Sequence, residues 1–224
     1  MTDAKKILII GGYGKVALLA TPKLVKLGHD LTSLIRNPEQ APDIEASGST
    51  PLVRDLTALD VDDWAELESQ FDVVVWSAGS GGKGGASDTY AIDRDGALAS
   101  IDGLKKLAED GKKVPRYLMV SYLGSVNHTV DPEHAFYPYA DSKKTVDEHL
   151  LDSGLEHLIL APAALTLEPS HGGEVIENTS DAAAGRKTSR ELVAEVIVEM
   201  ATREQLPEEK ILPFVDGGTP ASEF

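Results

Sequence analysis

Residues 7–17 read Ile-Leu-Ile-Ile-Gly-Gly-Tyr-Gly-Lys-Val-Ala, and this run restricts the fold more than any other part of the chain. Four consecutive apolar residues, Ile7 to Ile10, predict a short buried strand. Gly11, Gly12 and Gly14 follow as a turn that a Cβ would obstruct, and Val16–Leu27 then carries a helical pattern. A glycine-rich strand-to-helix turn gathers unpaired backbone N–H groups and the positive end of a helix dipole at one point. A pyrophosphate suits such a point. The spacing Gly11-x-x-Gly14-x-x-Ala17 departs by one position from the common G-x-G-x-x-G, and Ala17 is small enough for close helix-on-strand packing. A tight βα turn in a nucleotide-free α/β protein fits the same residues, so the rest of the chain has to decide.

Apolar runs and helical patterns alternate along almost the whole length. Further strands are expected at Leu31–Ile35, Thr50–Val53, Phe71–Trp76, Tyr117–Tyr122, Leu158–Leu160 and Lys210–Val215. Helices are expected at Asp62–Gln70, Tyr90–Glu109, Tyr139–Leu151 and Arg190–Arg203. This rhythm predicts βαβ units and a Rossmann-type doubly wound parallel α/β sheet, with ligands beyond the carboxyl ends of the strands. At 224 residues the chain suits a single domain, 1–224, with a small substrate-side segment from about 162 to the end. Three stretches read as irregular: Gly79–Ser87, Gly124–Pro138 and Leu165–Asn178. The first two follow strands and are read as functional loops beside the site.

Thirty-seven acidic residues against 21 basic ones give a net charge of −16, which repels phosphate backbones and argues against a nucleic-acid partner. Cysteine is absent, so disulfides, a thiolate nucleophile and Cys-based metal sites are excluded. Met1 to Lys6 leads into the first strand without an apolar leader, and no apolar stretch approaches spanning length. The expectation is a cytoplasmic protein that acts on a small molecule without membrane contact. Its oligomeric state, monomer or homodimer, is left open.

Arg36 stands directly after the second strand, where an NAD-specific fold places a carboxylate for the ribose 2′-hydroxyl. An arginine there matches a 2′-phosphate, which selects NADP(H) over NAD(H). Lys15 adds a second charge in the first turn after the glycines. Asp55-Leu56, after the third strand, offers a carboxylate for the adenine amino group and a side chain to pack the ring. In Tyr139-Ala140-Asp141-Ser142-Lys143 the tyrosine and lysine lie one helical turn apart. A neighbouring ammonium is expected to lower the phenol pKa toward the working range, and the same lysine suits the nicotinamide ribose. Ser121, ending the preceding strand, is expected to polarise a substrate carbonyl. An amphipathic helix start with a solvated lysine is the alternative for the pair.

Taken in order, these pieces resemble the short-chain dehydrogenase/reductase superfamily, and within it the atypical NAD(P)-binding members related to flavin/biliverdin reductase. The matching residues are Gly11 to Ala17, Arg36, Asp55-Leu56, Ser77-Ala78-Gly79, Val120-Ser121, Tyr139 to Lys143, Leu158 to Pro162 and Thr188 to Ala194. The resemblance implies a cofactor site of Gly11, Gly12, Tyr13, Gly14, Lys15, Val16, Arg36, Asp55, Leu56, Ser77, Ala78, Gly79 and Lys143. It also implies NADP-dependent reduction, with Tyr139, Lys143 and Ser121 catalytic. Ala161-Pro162-Ala163 replaces the family's frequent Arg-Pro-Gly, and Asp93 and Asp95 stand where an asparagine is often found.

His128, His134 and His171 fall in loops without metal-ligand spacing, and His134 is a candidate proton donor. Phe136 and Tyr137 are read as an apolar cover for the nicotinamide end. The reading is an NADP(H)-dependent oxidoreductase for a carbonyl or similarly reducible molecule. The alternatives are an NADP-binding sensor or assembly protein without turnover, and a sugar-nucleotide epimerase or dehydratase.

Overall fold

The computed structural model describes residues 3–81 and 84–224. Gly82 and Lys83, within the first irregular stretch, and Met1 and Thr2, within the leader reading, lie outside the described residues. Strands β1 (Lys6–Ile10), β2 (Asp30–Ile35), β3 (Thr50–Val53), β4 (Val73–Trp76), β5 (Arg116–Val120), β6 (His157–Pro162) and β10 (Ile211–Asp216) form one parallel sheet. Its order is β3-β2-β1-β4-β5-β6-β10, with β8 (Gly173–Val175) added antiparallel at the edge. The chain winds outward from β1 in both directions, so β1 and β4 flank the switch point of a doubly wound Rossmann-like fold.

Strand alternation explains the uninterrupted apolar runs. Ile7, Ile9, Val73 and Val75 pack toward α1 (Lys15–Lys26) and α8 (Arg190–Thr202). Leu8, Ile10, Val74 and Trp76 pack on the opposite side with α3 (Val61–Glu68), α5 (Ala97–Glu109) and α6 (Tyr137–Leu151). Every residue of β4 is therefore buried, as a strand covered on both faces requires. Trp76 is fully buried core.

Three expectations need correction. Gly79–Ser87 is not wholly irregular: α4 (Gly85–Thr89) begins inside it and continues through a π-helical stretch, Tyr90–Gly96, into α5. Leu165–Asn178 contains the end of β7 (Ala164–Thr166) and all of β8, and β7 pairs with β9 (Lys187–Ser189). Three-residue strands are too short to leave a period in the sequence, and partners elsewhere in the fold create them. The turns after β2 and β8 also carry helices that the apolar pattern does not announce, α2 (Ala41–Ala46) and α7 (Ser180–Ala183). In Gly124–Pro138, a single 3₁₀ turn at Ser125–Asn127 precedes α6, which starts at Tyr137. Among the described residues no helix is long and apolar enough to cross a membrane.

Candidate active site

The glycine turn is held by packing that leaves no room for side chains. A Cβ at Gly12 would stand 2.4 Å from Ser33 Cβ, and Gly11, at φ +81°, would bring one within 2.6 Å of the Ala78 Cα. Gly14, the N-cap of α1, has no side-chain capping bond, and the helix's first turn holds no acidic residue. The opening N–H groups of α1 therefore remain available to an anion.

Beyond the ends of β1, β2 and β3 lies a cavity of about 550 Å³. Of the residues expected at the cofactor, Gly11, Tyr13, Gly14, Arg36, Asp55, Leu56, Ser77, Ala78 and Gly79 line it. Four others do not. Gly12 is buried against Ser33, Val16 belongs to the core, Lys15 is exposed outside the lining, and Lys143 lies in the helix α6. Lys15 and Val16 bring no side chain to the cavity lining, and the contact open to both is through the backbone N–H groups of the first turn of α1. Tyr13 Oη donates to Asp43 Oδ2 at 2.6 Å, which pins the ring to α2 and raises the phenol pKa.

Arg54, directly before Asp55, lines the same cavity and was not signalled by any motif. The parallel register Ile35↔Val53 brings Arg36 and Arg54 to adjacent strand ends, and neither is ion-paired among the described residues. Two guanidiniums on one rim of a chain with charge −16 make that rim locally positive, a setting that suits an anion. The Asp55 carboxyl is held below its ordinary pKa, first by the Thr57 side-chain and backbone hydrogen bonds and then by Arg36. One of its oxygens, Oδ1, accepts both Thr57 bonds.

At the carboxyl end of β5 the chemistry is buried. Lys143 Nζ donates to the Val120 carbonyl at 2.8 Å. Burial lowers the Lys143 pKa, with Asp93 and Asp147 opposing that shift. Tyr139, partly buried one turn earlier, packs against Tyr122 and Phe136 with ring centroids 5.6 and 5.2 Å away. The expected downward tuning of Tyr139 does not occur. Burial first, then the charges of Asp93 and Asp147 and the Tyr122 phenol, push its pKa up. The Lys143 ammonium lies 6.0 Å from the Tyr139 ring centroid. Ser121 also departs from its expected role, because its hydroxyl donates to Asp147 Oδ2 at 2.5 Å instead of standing free for a carbonyl.

Asp147 and Ser125 were missed by motif reading. Asp147 extends the Tyr139–Lys143 stripe by one more turn, and that four-residue spacing was the available signal. Asp93 sits in the π-helical stretch, 1% exposed, and its Oδ2 accepts from the Ser80 backbone N–H at 2.8 Å. Since Ser80 lines the cavity, Asp93 ties the cavity wall to the charges around Tyr139 and Lys143. The widened turn carries a buried carboxylate toward α6, as π-bulges near functional sites often do.

The histidines lie aside from this cluster. His134 is exposed and its Nδ1 accepts from the Phe136 N–H, so it shapes the loop before α6. Phe136 covers Tyr139 and Tyr122, while Tyr137 packs edge-on against His128. Among the described residues no cluster of three or more His, Asp or Glu side chains is placed to hold a metal.

A family profile for NAD(P)H-binding proteins matches residues 11–204, the span from the glycine turn to the end of α8. The chain belongs to the NAD(P)H-binding family. An uncharacterized sugar epimerase of Bacillus subtilis is 28% identical over 97% of each chain. A Bacillus halodurans protein, provisionally named an NAD-dependent epimerase/dehydratase, is 30% identical with TM-score 0.81, covering 98% of both chains. The anaerobillin reductase of Escherichia coli shares the fold at TM-score 0.73 and 18% identity, over 94% of this chain and 97% of that one. The glycine cradle, the uncapped α1 and the arginine rim fit the NAD(P)H-binding family's cofactor on the evidence of their own geometry.

Proposed function

We propose that the protein is a cytoplasmic NADP(H)-dependent oxidoreductase of the short-chain dehydrogenase/reductase type, acting on a carbonyl or similarly reducible small molecule. The observation that carries this reading is Asp93, bonded to the cavity wall at Ser80 and electrostatically coupled to both Tyr139 and Lys143. It joins the cavity to a proton-bearing pair at the carboxyl edge of one sheet. Arg36 and Arg54 support the choice of a 2′-phosphorylated cofactor.

The first turn of α1 would hold the pyrophosphate, the two arginines the 2′-phosphate, and Asp55 with Leu56 the adenine. Lys143 uses one N–H on Val120 and keeps others for ribose hydroxyls. Bound there, NADP(H) supplies the hydride. Tyr139, its pKa held up, stays a neutral phenol across physiological pH, so it would carry a proton to give while being a weaker acid than a free phenol. Tyr139 would pass its phenolic proton to the substrate oxygen as the carbon beside it is reduced.

A second reading, in which a hydroxyl-bearing substrate is oxidised first, is favoured by the commitment of the Ser121 hydrogen to Asp147. The names of the two Bacillus relatives point the same way.

NADPH consumption across a panel of aldehydes, ketones and quinones, alongside NADPH and NADH titrations, tests the proposal. On any substrate found, Tyr139→Phe should keep cofactor affinity and lose about 100- to 10,000-fold in turnover. Tight NADPH binding with no turnover on the panel would favour a sensor. Wild-type turnover by Tyr139→Phe would move the proton donor elsewhere, with His134 next to examine.

A further inference from the structure

Ser121, Ser125 and Asp147 meet where β5 ends against α6, and they are 4%, 0% and 0% exposed. Both serine Oγ atoms stand 2.5 Å from Asp147 Oδ2. The other oxygen, Oδ1, is buried with no hydrogen-bond partner among the described residues. An ionised carboxylate only accepts, so both hydroxyl hydrogens then point at Oδ2. Ser121 is left with lone pairs for whatever docks beside it. A protonated carboxyl has one hydrogen to donate. On Oδ1 that hydrogen would find no acceptor, whereas on Oδ2 it meets a serine oxygen. When Ser121 receives it, the hydroxyl hydrogen of Ser121 is released.

We propose that Asp147 is a positioning residue that sets the hydrogen-bond polarity of Ser121. Ionised, it prepares the site for a substrate hydroxyl; protonated, it prepares the site for a carbonyl oxygen. This inference rests on the oxidoreductase reading above. It gives that site a second titrating group, one that neither gains nor loses a proton during the reaction itself. The groups facing Asp147 are Lys143, Glu148 and Tyr139 on α6 and Tyr122 after β5. Burial dominates among these influences and raises the Asp147 pKa to about 6, against the bonds from Ser121 and Ser125 and the Lys143 charge. Reduction should therefore be favoured on the acid side of that value and oxidation on the alkaline side.

The polarity can be read without a substrate, by NMR titration of protein carrying carbon-13 aspartate carboxyls. The isosteric Asp147→Asn identifies the resonance. Ser121→Ala removes a donor to the charged form, so the Asp147 midpoint should rise further. A midpoint that stays or falls would mean that Ser121 gives no hydrogen bond to the ionised carboxylate, which the proposal requires, and the proposal would be overturned. The consequence is read from NADPH-dependent reduction of phenanthrenequinone. The wild-type rate should drop about tenfold per pH unit above the Asp147 midpoint, and Asp147→Asn should flatten that limb. A limb that survives in Asp147→Asn assigns it to another group and overturns the proposal. NADPH binding without quinone or other carbonyl turnover instead strikes the oxidoreductase reading, and the NMR titration still decides the polarity.

Discussion

At the ends of β1, β2 and β3 the site is made of backbone N–H groups and exposed arginines, whereas at the end of β5 it is made of buried hydroxyl, ammonium and carboxyl groups. The first region is fixed by sterics. Gly11 and Gly12 sit where neighbouring strands leave no space for a Cβ, and Gly14 opens the helix that follows. Arg36 and Arg54 are exposed and make no ion pair among the described residues, so they contribute attraction for an anion with little desolvation to overcome. In the second region the charges are nearly sealed. Lys143 is 2% exposed and Asp147 0%, and each group's protonation depends on the others. The contrast teaches that substitutions in the first region should change binding alone, while those in the second should change how the protein responds to pH.

The largest effect should come from filling the cradle. Gly14 has an ordinary extended backbone, and a Cβ there would meet the Gly11 carbonyl at 3.1 Å, so Gly14→Val should fold with its side chain toward the cavity. Losing two or more charge-assisted N–H contacts should weaken NADPH by at least about 100-fold in calorimetry. Unchanged binding would remove the pyrophosphate from this turn and break the comparison at its firmer end.

A second test concerns stability in the buried region. The Asp147 pKa is raised from 3.8 to about 6, so the native state binds its proton more tightly than the unfolded chain. Stability is then fullest below pH 4 and declines as pH rises through 6, by on the order of 3 kcal/mol for that displacement. Glu68, fully buried and also raised, acts in the same direction, so the informative quantity is the difference between Asp147→Asn and wild type. That difference should grow in favour of the variant between pH 4 and 7 in urea melts. Parallel curves would show that Asp147 ionises without cost.

Smaller effects are expected on the arginine rim. Arg36→Ala should erase about 10- to 100-fold of the preference for NADPH over NADH while leaving NADH affinity nearly unchanged. Equal wild-type affinities for the two cofactors would sink this assignment. With Arg36 as the direct contact, Arg54 adds a second charge screened by solvent and salt, so Arg54→Ala should cost less, about 2- to 10-fold. An Arg54→Ala effect on NADH as large as that on NADPH would show that it serves the adenosine generally.

Much of the first region was legible in the chain. The apolar run before Gly11, the helix after it and the positions of Arg36 and Asp55 after strands are local facts. Their spatial meaning follows from the rule that ligands sit beyond strand ends. Arg54 escaped because it becomes a neighbour of Arg36 only through the parallel register of β2 with β3. The second region was legible in membership and misread in chemistry. Tyr139, Lys143 and Ser121 do meet near one strand end, but the spacing of Tyr139 and Lys143 suggested a charge pair that burial and two carboxylates outweigh. Neither Asp147 nor Asp93 carries a motif. One matters by extending a helical stripe and the other by sitting on a π-helical turn.

By itself, then, the sequence determined the alternating α/β order, the strand-to-helix glycine turn and the helix face that carries Tyr139, Lys143 and Asp147. Each of these is set by periodicity or by the absence of a Cβ, which act over a few residues. Tertiary structure alone decided the short strands β7, β8 and β9, the adjacency of Arg36 and Arg54, and the hydrogen bonds from Ser121 and Ser125 to one oxygen of Asp147. Those features depend on which distant segments are brought together and on how far water is excluded from them, and burial controls the energy of a charge far more strongly than its neighbours in sequence do.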